Sequence, residues 1–289
     1  MLTKHQLLRS AIAKSLLFTT LLFAAFCRPV TAQTQFAAWA GTFQNYKLTP
    51  RVGFYFDAQW RSTDQVKQMH SLLLRPGINF YLTPALTGTV GYAFIQQQRV
   101  SAGVTGYLPE HRIWEQLTFT HPLGIAGPTP AHGQTGASAN TGAGASGNNG
   151  PAGPLASAAA HARHRVNATL THRLRLEQRF IPRHHAEGNA LVQNGHHQAN
   201  RLRYFARAIV PLSKQGWFAA VQNEVFVNVG NTSMVNGKFF DQNRAYIAAG
   251  YRLSKQFDME VGYMNQYISG AGANSTNNHI VQVATYVRL

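Results

Sequence analysis

From Gln35 almost to the last residue, apolar and polar positions alternate with a period of two, the repeat of an extended strand with one greasy face. Between Val52 and Arg61, the positions Val52, Phe54, Phe56, Ala58 and Trp60 alternate with Gly53, Tyr55, Asp57, Gln59 and Arg61. Leu86, Val90, Tyr92 and Phe94 oppose Thr87, Thr89, Gly91 and Ala93 in the same way. Leu202, Tyr204, Ala206, Ala208, Val210 and Leu212 oppose Arg201, Arg203, Phe205 and Arg207. The pattern predicts eleven strands, over 35–47, 52–64, 68–82, 86–98, 110–121, 164–181, 200–212, 216–229, 241–253, 257–268 and 278–289. All exceed the roughly 5–6 residues usual in soluble sheets and are long enough for the roughly 9–11 that a tilted strand needs to cross a bilayer.

The links between strands alternate in length. A repeated Leu-[Ser/Thr]-[Pro/Lys] turn, at Leu48-Thr49-Pro50, Leu82-Thr83-Pro84, Leu212-Ser213-Lys214 and Leu253-Ser254-Lys255, closes four hairpins. The intervening links 99–109, 182–199, 230–240 and 269–277 are longer. Short turns at one end and long loops at the other is the layout of an outer-membrane barrel, with Trp60, Phe94, Trp217 and Tyr251 placed to form interfacial girdles. A secreted β-sandwich also has many strands, but its polar face meets water and is rich in Lys, Glu and Asp, whereas here that face carries Gly, Thr, Gln, Asn, Tyr and Arg. The fold class predicted is therefore all-β, an antiparallel transmembrane β-barrel of 10–12 strands. Twelve is preferred over the eleven segments read, because bacterial single-chain barrels have an even strand number. The chain stops on a strand with Val287 and Leu289 apolar, the ending expected to be read by the outer-membrane insertion machinery. One residue breaks the pattern: Glu115 is in phase with Ile113 and Leu117 and aims a carboxylate at lipid unless a bulge re-phases the strand.

Two segments lie outside the pattern. Residues 1–32 have a basic start with Lys4, Arg9 and Lys14, a short apolar stretch from Ser15 to Phe26, and Val30-Thr31-Ala32, the makings of a secretory signal peptide cleaved after Ala32. That stretch is too short for a membrane anchor, and Phe26 before the lone Cys27 does not fit a lipoprotein signal. The barrel domain is then 33–289. Residues 122–162 contain no Asp, Glu, Lys or Arg and are dominated by Gly, Ala, Ser, Pro and Asn, so they bury too little apolar area to offset the entropy of ordering. They read as a disordered insertion on the periplasmic side, with a tether to peptidoglycan or a partner as the functional alternative.

Composition sharpens this picture. Only 12% of residues are charged, about half the usual share. The 26 Lys and Arg outnumber the 10 Asp and Glu. Removing the leader takes away four basic residues and the only cysteine, so the exported chain carries a formal +12 and relies on no disulfide. If the apolar faces meet lipid, the inward basic residues are Arg61, Arg75, Arg112, Arg173, Arg175, Arg179, Arg201, Arg203, Arg207, Arg244, Arg252 and Arg288. The inward acids are Asp57, Glu177, Glu224, Asp258 and Glu260.

The runs LRPGINFYLTP (74–84), LPEHRIWEQL (108–117), HRLRLEQRFI (172–181), NRLRYFARAIVPL (200–212), VQNEVFVNVG (221–230), FDQNRAYIAAGYRLSK (240–255) and GYMNQYI (262–268) resemble the bacterial family known as domain of unknown function 2490. The resemblance covers nearly all of 33–289 except the low-complexity insertion. It implies an uncharacterised outer-membrane barrel and supplies no catalytic residues.

The functional reading thus falls on the lumen. Asp57, Arg173, Arg175, Glu177, Arg179, Arg201, Arg203, Arg207 and Glu224 are its candidate lining. They make either a salt-bridged filling that stiffens a narrow barrel or a path for small anionic solutes, as rings of Arg do in anion pores. Histidine offers weaker chemistry. His184-His185 and His196-His197 flank Glu187 in a predicted external loop, without the fixed spacing of a metal site, and no metal or cofactor is expected. His111 beside Glu110 looks like part of an acid–base pair, but adjacent strand residues point to opposite faces. No G-x-S-x-G motif is present, so a membrane-embedded lipid or lipid A hydrolase is the weaker alternative, beside surface binding or adhesion through the loops. The basic balance does not point to nucleic acid, because the arginines alternate with apolar residues instead of clustering on a solvent face. The partners expected are outer-membrane lipid and lipopolysaccharide.

Overall fold

The computed structural model describes residues 33–126, 165–213 and 215–289. The predicted leader and most of the predicted insertion lie outside these residues. The described residues form eleven strands: β1 (Gln33–Lys47), β2 (Val52–Ser62), β3 (Met69–Tyr81), β4 (Leu86–Ser101), β5 (Val104–Ala126), β6 (Arg165–Glu187), β7 (Ala190–Pro211), β8 (Trp217–Val229), β9 (Phe240–Arg252), β10 (Phe257–Ser269) and β11 (Ser275–Arg288). Each pairs antiparallel with the next in sequence, and β1 pairs with β11 to close an all-β barrel.

The count is eleven, inside the predicted range but not the preferred twelve. An odd number of alternating strands leaves the first and last pointing the same way, so the closing pair must be parallel. β1 and β11 do run parallel, in register from Gln33 opposite Thr276 to Asn45 opposite Arg288. No helix among the described residues is long and apolar enough to cross a membrane.

The repeated Leu-[Ser/Thr] turn has a physical reason. In each of the four hairpins the Leu and Ser/Thr backbone N–H groups donate to the carbonyl of the first residue of the next strand, as Leu48 and Thr49 do to Val52 at 3.1 and 2.9 Å. The hydroxyl then caps the turn: Thr49 Oγ1 accepts from the N–H of Arg51 and Val52, Thr83 Oγ1 from Ala85 and Leu86, and Ser254 Oγ from Gln256 and Phe257. Short polar side chains that bond the backbone two or three residues on favour turns for this reason.

At the opposite end, two of the predicted long loops are mostly strand. β4 and β5 meet at a turn with Ala102 and Gly103 in the left-handed region, and β6 and β7 at a turn containing Gly188. The predicted loops 99–109 and 182–199 therefore become strand extensions, interrupted on β6–β7 by a register shift between Pro182 and His184. At the other end β5 continues to Ala126, past the predicted boundary at 122.

Outside, the apolar faces make a continuous belt that includes Phe54, Ile78, Val90, Ile113, Leu117, Leu174, Val221, Ile247 and Val261, all exposed. Pairing of β5 with β4 and β6 runs without a register shift through residue 115, so no bulge rescues Glu115. Its side chain faces outward and, among the described residues, accepts only from Gln178 Nε2, at 3.0 and 3.4 Å. The belt is edged by three tyrosine–histidine pairs of one geometry, Tyr92–His111 (2.5 Å), Tyr204–His172 (2.8 Å) and Tyr263–His279 (2.5 Å).

Candidate lumen site

The residues opposite the belt turn inward, and their charges condense into one network. Glu110 on β5 is enclosed by Arg99, Arg112 and Arg179, at 3.0, 2.7 and 2.9 Å. Glu177 on β6 accepts from Arg112 (3.2 Å), Arg201 (2.7 Å) and Arg203. Glu224 on β8 takes Arg203, Arg173 and Arg244, at 2.7, 2.9 and 3.6 Å. The shared arginines Arg112 and Arg203 join the three carboxylates into a chain that spans β4 to β9. Asp57 holds Arg75 at 2.7 Å and the Tyr55 hydroxyl at 2.5 Å. Glu260 binds Arg207, Tyr246 and Tyr286.

All nine candidate residues, Asp57, Arg173, Arg175, Glu177, Arg179, Arg201, Arg203, Arg207 and Glu224, lie on this inner side, buried or half-buried. Arg252 and Arg288, also expected inside, sit half-exposed on Asp258 at the short-turn rim. Burial of Asp57, Glu110, Glu177, Glu224 and Glu260 is tolerable because each of these carboxylates meets at least one guanidinium.

Several contributors were not anticipated. Glu110 is fully buried, and parity with Arg112 two positions on gives it the inward face, a signal the sequence did contain. Asp241, 2.8 Å from Arg201, turns inward beside a register shift between Phe226 and Val227 that alternation cannot foresee. Apolar side chains also enter the lumen. Trp39, Phe218, Tyr246, Met264 and Ile280 form one buried cluster, and Tyr55, Leu73, Ile95 and Trp114 another. Trp114 fits because two strands offer glycine beneath it: a Cβ on Gly91 would lie 2.2 Å from the indole, and one on Gly77 2.9 Å.

Contacts between strands that are not neighbours cross the middle of the barrel. Tyr55 on β2 meets Trp114 on β5 edge-on at 5.8 Å. Arg207 on β7 reaches Glu260 on β10 and lies 5.2 Å from the Tyr286 ring on β11. Arg244 on β9 lies 5.1 Å from the Trp39 ring on β1. What remains open is a vestibule of about 510 Å³ toward the long-hairpin end and a mid-lumen chamber of about 100 Å³. The two share one wall, made of Trp39, Arg61, Arg75, Arg203 and Arg244. Seven arginines line each cavity against two carboxylates.

The histidines gather no comparable chemistry. His111 points outward to Tyr92 while Glu110 points inward to its arginines. His184, His185, His196 and His197 lie on the extended β6–β7 hairpin, where His185 is 3.9 Å from Glu187. Among the described residues no three His, Cys, Asp or Glu side chains gather into a metal-holding group.

A family model described as protein of unknown function (DUF2490) matches residues 36–129 and 157–277. A solved structure of the NanC porin in a rhombohedral crystal form is similar at 9% identity, covering 85% of this chain and 90% of that one with a TM-score of 0.43, too distant to bear on function. No curated protein matches the sequence.

Proposed function

The chain belongs to the DUF2490 family of proteins of unknown function, and, since membership brings no activity with it, we propose from the barrel's own geometry that it is an outer-membrane protein whose arginine-rich lumen forms a narrow, anion-leaning path. The membrane setting is supported by the apolar belt and its edges. His111 and His121 mark the outer face of β5 ten residues apart, and each stacks with aromatic or histidine rings, Tyr92 at 6.0 Å and His172 at 5.7 Å. At about 3.4 Å per residue and a tilt near 45°, ten residues rise about 24 Å, the height of an outer-membrane apolar band. Amphipathic rings at both edges are the usual interfacial anchors. The belt then meets outer-membrane lipid, and Lys67 and Arg183, exposed at the long-hairpin end, meet the anionic headgroups of lipopolysaccharide.

One observation carries the lumen reading. The wall between vestibule and chamber is four guanidiniums and an indole, with no carboxylate in it. Arg75, Arg203 and Arg244 are paired with carboxylates behind the wall but Arg61 is not, so a solute passing between the cavities meets a surface that leans positive and favours an anion over a cation. The remaining width is small, so the expected conductance is low. In planar bilayers the purified protein should give small, anion-selective currents, and neutralising Arg203 in the wall or Arg175 in the chamber should reduce the selectivity. Membranes that stay silent at all voltages would instead identify the lumen as a salt-bridged filling and the barrel as a scaffold.

A further inference from the structure

We propose that the mid-lumen chamber is a binding site for one small oxyanion, a phosphate or a carboxylate, held by Arg61 and Arg175. The site presupposes the anion-leaning lumen described above and narrows it to one place and one chemistry. Five of the seven arginines lining the chamber already have carboxylates: Arg75 has Asp57, Arg207 has Glu260, and Arg173, Arg203 and Arg244 share Glu224. Arg61 and Arg175 have none among the described residues. They are held alike, each laid on an indole and tied to a single glutamine. Arg61 lies 3.9 Å from the Trp39 ring and donates from Nη2 to Gln59 at 2.7 Å. Arg175 lies 4.2 Å from the Trp114 ring and donates from Nε to Gln116 at 2.8 Å.

Such packing fixes the two guanidiniums but leaves most of their charge and donors unused. A guanidinium carries five N–H donors. Arg61 Nε is buried without a partner, and Arg175 is only 2% exposed. A buried, unpaired cation is among the costliest groups a protein can hold, so Arg175, with the half-buried and equally unpaired Arg61 lining the same cavity, calls for an anion. The cavity limits its size: a chamber of about 100 Å³ has room for a small oxyanion and its water but not for a bulky solute. The planar fork of Arg matches two oxygens of a carboxylate or phosphate, which favours an oxyanion over a halide. Access is from the vestibule, past the wall that Arg61 itself helps to form.

The test uses the folded barrel in zwitterionic detergent, dialysed free of oxyanions and titrated calorimetrically with inorganic phosphate in one arm and acetate in the other. Saturable one-to-one binding in at least one arm is expected, weakened at least tenfold by Arg61→Gln and by Arg175→Gln and unchanged by Arg51→Gln in an exposed turn. Both lumen variants remove an unpaired charge, and a heat-dependent gel shift verifies that each still folds. Should Arg175→Gln fail that check, Gln116→Leu, which frees the guanidinium from its tether, serves in its place. Binding in the phosphate arm alone identifies a tetrahedral ligand and in the acetate arm alone a carboxylate; either supports the site. A barrel that binds but does not conduct sinks the pore reading and leaves the site standing. Absence of saturable binding in both arms, or binding that survives both lumen substitutions, overturns the site even if anion-selective currents are present.

Discussion

Removing Glu177 should be the most damaging single change in the lumen that touches no backbone. Its carboxylate is 1% exposed and is the meeting point of Arg112, Arg201 and Arg203. Truncation to Ala deletes the charge-assisted bonds and leaves three guanidiniums converging on a hole. Breaking a buried ion pair typically costs about 3–5 kcal/mol. The lower end applies here, because each arginine keeps a second carboxylate: Glu110 for Arg112, Asp241 for Arg201 and Glu224 for Arg203, at 2.7, 2.8 and 2.7 Å. The expected loss is therefore about 3 kcal/mol. With a urea slope of about 1–3 kcal/mol per molar, the unfolding midpoint in lipid vesicles, followed by tryptophan fluorescence, should fall by about 1–3 M. Adding Arg203→Met should restore part of the loss, with a coupling of at least about 1 kcal/mol, since it removes one of the guanidiniums left crowding the hole. A Glu177→Ala midpoint indistinguishable from the parent would refute the idea that the lumen network is mutually dependent.

Three further outcomes follow from particular contacts. Gly91→Ala places a Cβ 2.2 Å from the Trp114 indole and 2.6 Å from the Pro76 carbonyl oxygen. It should cost about 1–3 kcal/mol in the same unfolding assay, only partly relieved by Trp114→Leu because the backbone contact remains. Glu115→Leu replaces an outward carboxylate in the apolar belt and should stabilise the barrel in bilayers by about 1–2 kcal/mol in the same unfolding assay. Thr83→Ala removes the acceptor for two turn N–H groups and should cost about 0.5–1 kcal/mol, since the turn is exposed to water.

The legible part of this molecule is the part that touches two different media. Wherever a strand separates an apolar exterior from a polar interior, alternation is enforced at every residue, and β2, β4 and the lower half of β7 could be phased from it directly. The turns were legible because a hydroxyl at one position repeats four times. Where strands run beyond the belt, both faces meet similar surroundings and the alternation stops, although backbone pairing goes on. For that reason residues 182–199 read as loop and fold as hairpin. The closing parallel pair was invisible because closure depends on a strand count, not on any residue of β1 or β11. Inside the lumen, sign and side were readable for Arg175 or Glu177, but not partnership: which arginines lack a carboxylate emerges only when strands far apart in sequence are brought around one chamber.

The central claim is that alternate residues of one strand face lipid and a closed interior, and β9 offers the cleanest test. No cysteine occurs after Cys27, so single cysteines can be placed from Gln242 to Tyr251 and spin-labelled in the reconstituted barrel. Collision with oxygen, which concentrates in hydrocarbon, should be high at 243, 245, 247, 249 and 251 and low at 242, 244, 246, 248 and 250. A profile without that two-residue period, or with its phase inverted, would contradict the account.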